Sequence, residues 1–167
     1  MLVLIGGLPG VGKTTVAREV ARRTRGAHVR IDALEAGLVD LGLAPQGQVG
    51  AAGYGLSLTV ADTLLAGGAT VLVDAVFPVA ESRTPWTALA ERHGVPARWV
   101  RLVCGDAAEH RRRVEQRRSD LPGLVYPDWA AVAAREVDGW AEPHTVVDTA
   151  AGDPVAAVLY AMGSGAG

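Results

Sequence analysis

The stretch Gly7-Leu8-Pro9-Gly10-Val11-Gly12-Lys13-Thr14 satisfies G-x-x-x-x-G-K-S/T at every position. It follows the apolar run Leu2–Ile5 and opens a segment of helical periodicity, the setting that gives this motif its meaning. Its glycines let the backbone curl so that successive amides point inward. Gly10, Val11, Gly12, Lys13, Thr14 and Thr15 each have an N–H to offer, and Pro9 has none. Those amides and the positive end of the following helix favour a bound phosphate. Lys13 is a compact ammonium able to follow the β- and γ-phosphates of a nucleoside triphosphate, and Thr14 can give a hydroxyl to Mg²⁺. Of the 16 basic residues in the chain, only Lys13 is a lysine. Arginine serves everywhere except the one place where a phosphate loop needs a point charge.

Three further groups could complete such a site. Asp32 follows the apolar segment His28–Ile31; it can cap the helix after it or accept the proton of a substrate hydroxyl beside the transferred phosphoryl group. Asp74 closes Val71-Leu72-Val73-Asp74, an apolar run ending in an acid that would hold Mg²⁺ directly or through water. Arg113 and Arg117, four apart in an arginine-rich segment, share a helix face. With the turn Ser119–Gly123 after them they form a candidate lid over residues 106–127, bringing positive charge to the transition state. The same arginines would also serve as a solvated face. Asp106 and Glu109 have the spacing of a capping box. The four histidines share no metal-ligand spacing. Cys104 reads as a core thiol, and Tyr126, Trp129 and Trp86 suit either an acceptor pocket or the core.

These groups need a frame that gathers them. Short apolar segments alternate with helical ones: Leu2–Ile5, Lys13–Thr24, His28–Ile31, Ala33–Asp40, Ala51–Ala66, Thr70–Val73, Ala80–His93, Arg98–Val103, Asp106–Arg118, Asp128–Trp140, Thr145–Val147 and a last helix from Pro154. This order implies an α/β fold of three layers, a five-stranded parallel sheet with helices on both faces. Ligands in such sheets bind outside the carboxyl ends of the strands, where Gly7–Thr15, Asp32, Asp74, Cys104–Asp106 and Asp148-Thr149 all fall. A chain of 167 residues, 49% hydrophobic and 20% charged, suits one globular domain over residues 1–163 with a short tail, 164–167. The net charge of -2 argues against an obligate nucleic-acid binder. One cysteine precludes an internal disulfide. The run Met1–Ile5 is far shorter than the ~20 residues of a membrane span and lacks a basic leader, so a cytoplasmic protein is expected. With a single lysine there is none for the N-K-x-D of a switch GTPase.

Taken together, GLPGVGKTT, RIDAL, VLVDAVF, LAERHGVPARWVRLVC, the Arg113/Arg117 pair and EPHTVVDT resemble the small P-loop kinases of the chloramphenicol phosphotransferase and zeta-toxin-like (AAA_33) kind. The likeness runs from Leu2 to about Thr149. It implies a kinase that moves the γ-phosphoryl of ATP to the hydroxyl of a small molecule, antibiotic-like or nucleoside-like. On that resemblance the base is Asp32, the lid arginines are Arg113 and Arg117, and the adenine-side loop lies at Asp148-Thr149. The chain departs from it in carrying Asp74-Ala75 where chloramphenicol phosphotransferase has two acids, and in the segment Leu41–Gly55. Two rivals stand beside this reading. A nucleoside or nucleotide kinase would need a second anion site for a monophosphate, for which Arg30 and Arg83 are candidates. A regulatory or toxin-like module would bind ATP without productive transfer.

Overall fold

All five residues of Leu2–Gly6 are buried, as befits a strand covered on both faces. This strand, β1, is the middle of a parallel sheet in the computed structural model, which describes residues 1–45, 47–49, 51–121 and 124–164. The remaining strands are β2 (Ala27–Arg30), β3 (Val71–Asp74), β4 (Ala97–Val103) and β5 (His144–Asp148), in the order β2-β3-β1-β4-β5. The helices are α1 (Lys13–Thr24), α2 (Ile31–Asp40), α3 (Ala52–Ala66), α4 (Ala80–Arg92), α5 (Ala107–Gln116), α6 (Trp129–Ala133) and α7 (Pro154–Gly163). Strand order reverses at β1, flanked by β3 and β4 with all strands parallel. A crevice therefore opens at its carboxyl end.

Two cores make the three layers. On one face the apolar stripe Val16, Ala17, Val20 and Ala21 of α1 packs with Val158, Ala161 and Met162 of α7. On the other, α3 and α4 cover an aromatic knot. Phe77 is its hub, edge-to-face with Tyr54, Trp86, Trp99 and Trp140 at centroid distances of 5.3–6.4 Å. Such pairs stabilise beyond their area of burial.

The knot explains the largest departure from the expected elements. A helix over 128–140 is predicted, but α6 ends at Ala133. Trp140 is drawn into the core, where its ring fills the space beside Gly6. Asp138 meanwhile bonds to the start of α4, its N–H to Pro78 O at 2.9 Å and its carboxylate to Ala80 N at 3.1 Å. These tertiary contacts pull 134–140 off a helical path. Helix α5 stops at Gln116, so Arg117 stands just beyond it in extended backbone. In the predicted tail Ser164 caps α7. Residues 165–167 of that tail, and Pro122 and Gly123 of the predicted turn, lie outside the described residues.

Candidate active site

The phosphate loop is built by backbone conformation and by close packing from behind. Gly12, with φ 95°, is the N-cap of α1, and Gly10, with φ 85°, passes so near α5 that a Cβ there would lie 2.5 Å from Val114. A side chain at either position would be strained. The loop carbonyls are tied off individually. Lys13 Nζ donates to Leu8 O at 3.0 Å, and the buried His110 bonds to Pro9 O at 2.8 Å through Nε2. A carbonyl only accepts, so Nε2 carries the hydrogen. With these carbonyls turned away, Gly10 and Gly12–Thr15 face the cavity and form the cradle, while Val11 N–H turns back to Leu8 O at 3.4 Å.

Beneath the cradle lies Asp74 at the end of β3, 3% exposed. Thr14 Oγ1 donates to its Oδ2 at 2.7 Å, and His28 Nε2 donates to Oδ1 at 2.9 Å. Burial works against ionisation of this carboxyl. The bonds from His28 and Thr14, with Lys13 nearby, outweigh it and hold Asp74 below the ordinary carboxylate range. Burial also pushes the Lys13 ammonium down to about 8, against the opposing pull of Asp32 and Asp74.

In front of the cradle is a cavity of about 550 Å³. Gly10, Gly12, Lys13, Thr14 and Thr15 form its floor, and Asp32, Arg113, Arg117 and Thr149 reach it from β2–α2, the α5 end and the loop after β5. Asp32 sits in the first turn of α2 rather than at its N-cap, which is Arg30, so its carboxylate is not committed to capping. Arg113 is held on three sides: Nε on Glu109 at 2.8 Å, Nη1 on Thr149 Oγ1 at 2.9 Å and Nη2 on Thr149 O at 3.2 Å. Arg117 lies over the Tyr126 ring, 3.4 Å from its centroid. Glu109 therefore does not complete a capping box. Asp106 caps α5 through Ala108 N and Glu109 N, while Arg112 and Arg113 take the Glu109 carboxylate and pull its pKa to about 2.

The other predicted residues stand behind or beside the cavity. Gly7 and Val11 back the loop, lining a separate 140 Å³ pocket with Cys104 and Trp140. Asp148 turns its carboxylate to the amides of Gly105 and Ala150, both at 2.9 Å, and so joins two loops. Arg83 is in the core, paired with Glu142 at 2.9 Å and stacked on Trp140. Arg30, by contrast, lines the cavity. Of the three aromatics, Trp86 belongs to the core, Trp129 packs edge-to-face on His110, and Tyr126 hydrogen-bonds Arg30.

Sequence reasoning misses His28, His110 and Asp120. His28 and Arg30 alternate onto one face of β2, a period-two signal for the strand that leads into Asp32. His110 and Val114 share a face of α5 at a spacing of four, which marks the side that backs the loop. Asp120 carries no local signal, because its partner Arg30 is 90 residues away.

A phosphate-binding loop at the carboxyl end of a central β1, with an acid ending β3 beneath it, defines the P-loop NTPase fold. The family model described as an AAA domain, AAA_33, matches residues 2–132, and the chain belongs to that family. Comparison with curated proteins finds no match. Among solved structures, a Chloroflexus aurantiacus protein provisionally assigned as a kinase shares 21% identity at a TM-score of 0.74, over 97% of this chain and 96% of that one. A sugar kinase from Janibacter shares 18% at a TM-score of 0.68, over 98% and 95%. A Mycobacterium tuberculosis APS kinase, solved with AMPPNP and APS, shares 21% at 0.67, over 98% and 97%. At these identities the likeness is one of fold.

Proposed function

We propose that the protein is an ATP-dependent O-phosphotransferase that moves the γ-phosphoryl of ATP to a hydroxyl of a small molecule. The observation that carries this reading is the shared cavity. Asp32 opens onto the same space as the phosphate loop, Arg113 and Arg117. A hydrolase needs only the loop and a water, whereas a carboxylate facing the phosphates from a separate element suits an alcohol acceptor. The sugar kinase and the APS kinase of like fold support a small acceptor, and the class proposed is an antibiotic-like or nucleoside-like alcohol.

The loop amides and Lys13 hold the polyphosphate, and Thr149 with Arg113 forms the nucleotide-side rim. Asp32 orients the acceptor hydroxyl and takes its proton as the oxygen attacks the γ-phosphorus, the bond to the β-γ bridging oxygen breaks, and ADP leaves. Arg113 and Arg117 offset the charge that builds on the departing oxygen. The Thr14 hydroxyl and the ionised Asp74 are hard oxygen donors that would hold Mg²⁺. That ion would neutralise the β- and γ-phosphate charge. Among the described residues no helix is long and apolar enough to cross a membrane.

The test is ADP release from ATP across a panel of hydroxyl-bearing antibiotics, sugars and nucleosides. At least one acceptor should raise release above the water-only background. Asp32→Asn should then lower that rate by about 10²–10⁴-fold, with nucleotide affinity retained. Full acceptor-dependent turnover in Asp32→Asn removes the residue from the role given it.

A further inference from the structure

Arg30 ends β2, two residues before Asp32, and its side chain is only 9% exposed. Its guanidinium makes a two-pronged contact with the Asp120 carboxylate, Nη1 to Oδ2 at 2.7 Å and Nη2 to Oδ1 at 3.0 Å. Nη2 also donates to the Tyr126 hydroxyl at 2.7 Å. Nε is buried and has no partner among the described residues. The arginine is thus fixed and under-satisfied, at the wall of the cavity that holds Asp32.

Its partner is of the opposite kind. Asp120 is 53% exposed and lies on the segment after α5, where no burial holds it. Arg18 from α1 approaches the same carboxylate, at 3.8 Å. Arg117 stacks on the Tyr126 ring whose hydroxyl touches both Arg30 and Asp120, at 2.7 and 3.3 Å. An ion pair with so exposed a partner contributes little to stability, so stability alone does not explain a buried guanidinium here. A planar fork in a cavity wall is the geometry that recognises carboxylate and phosphate.

We propose that Arg30, with Arg18 and Arg117, is the anion subsite for the acceptor, that Asp120 fills it in this structure, and that the acceptor is a small alcohol bearing a carboxylate or phosphate. This rests on the phosphotransferase reading and narrows its substrate class. The backbones of Arg30 and Asp32 lie within about 7 Å of each other. A molecule a few bonds long therefore places its anion on Arg30 and its hydroxyl at Asp32. Binding displaces the Asp120 carboxylate from the Arg30 guanidinium.

Calorimetric titration of the protein saturated with Mg²⁺ and AMPPNP tests this, with inorganic phosphate and acetate as probes. Nucleotide keeps both anions out of the phosphate loop. Asp120→Asn should bind at least one of them tenfold or more tighter than wild type, and the tighter of the two identifies the anion the acceptor carries. Adding Arg30→Gln to Asp120→Asn should abolish that gain. The gain cannot arise from misfolding, so Asp120→Asn decides the matter even if the double variant is unstable. Equal affinity of wild type and Asp120→Asn for both anions would overturn the proposal, as would a gain that survives loss of Arg30. Failure to bind AMPPNP at the first step strikes instead at the phosphotransferase reading. The anion comparison is then made without nucleotide in a Lys13→Ala background, where the same two outcomes decide.

Discussion

The two walls of the cavity are made of different material. The phosphate-loop wall, to which the proposed function assigns the nucleotide, is built largely of backbone: amides of Gly10 and Gly12–Thr15, carbonyls tied off by Lys13 and His110, and behind them a buried acid locked by Thr14 and His28. The facing wall is side chains, arginines held in place by acids and an aromatic ring: Arg30 on Asp120, Arg113 on Glu109 and Thr149, Arg117 on Tyr126. A backbone cradle reads phosphate and little else, since every residue offers the same N–H. A wall of long side chains can be rebuilt position by position. Under the proposed function, phosphate binding would sit on one side and choice of acceptor on the other.

Substitutions can break this contrast. The largest effect is expected at Lys13, the cation of the phosphate-loop wall. Lys13→Arg keeps the charge, but a planar guanidinium does not fit the place of a compact ammonium; acceptor-dependent turnover should fall by about 10²–10³-fold. On the facing wall, Arg117→Gln should lower turnover by about 10²-fold and leave the dissociation constant for ADP nearly unchanged, as calorimetry would show. A loss of ADP affinity as large as the loss of rate would erase the distinction between the walls.

The nucleotide wall should also respond to pH. Burial holds the Lys13 ammonium at about 8, below the ordinary lysine value of 10.5. As pH rises through 8 the unliganded protein loses that proton, whereas bound polyphosphate retains it. Nucleotide affinity should therefore drop, by about tenfold near pH 9, and the dependence should vanish in Lys13→Met. The smallest effect belongs to the support behind the loop. His110→Leu leaves Pro9 O without its donor and should cost about 1 kcal/mol in denaturant unfolding, with a modest rise in the dissociation constant for ADP.

The same contrast decides what could be read from the residues alone. The phosphate loop was legible because its glycines, lysine and threonine are contiguous, and backbone geometry is set locally. The parallel sheet was legible because apolar runs alternate with helical periods. The facing wall was half legible: Asp32, Arg113 and Arg117 stand out by type and position, but the partners that orient them come from distant segments. Tyr126 under Arg117 and Asp120 on Arg30 are tertiary facts. The short α6 belongs with them, because Trp140 packs against β1 and Asp138 bonds to α4 in preference to extending a helix.

Transfer to an alcohol rather than to water is what separates the proposed phosphotransferase from a hydrolase. It is tested most directly by following the fate of the γ-phosphoryl group from γ-labelled ATP, with an acceptor that stimulates ADP release. Label should appear on the acceptor as a phosphate ester, in step with ADP formed. Label found only as inorganic phosphate, whatever alcohol is supplied, would contradict it.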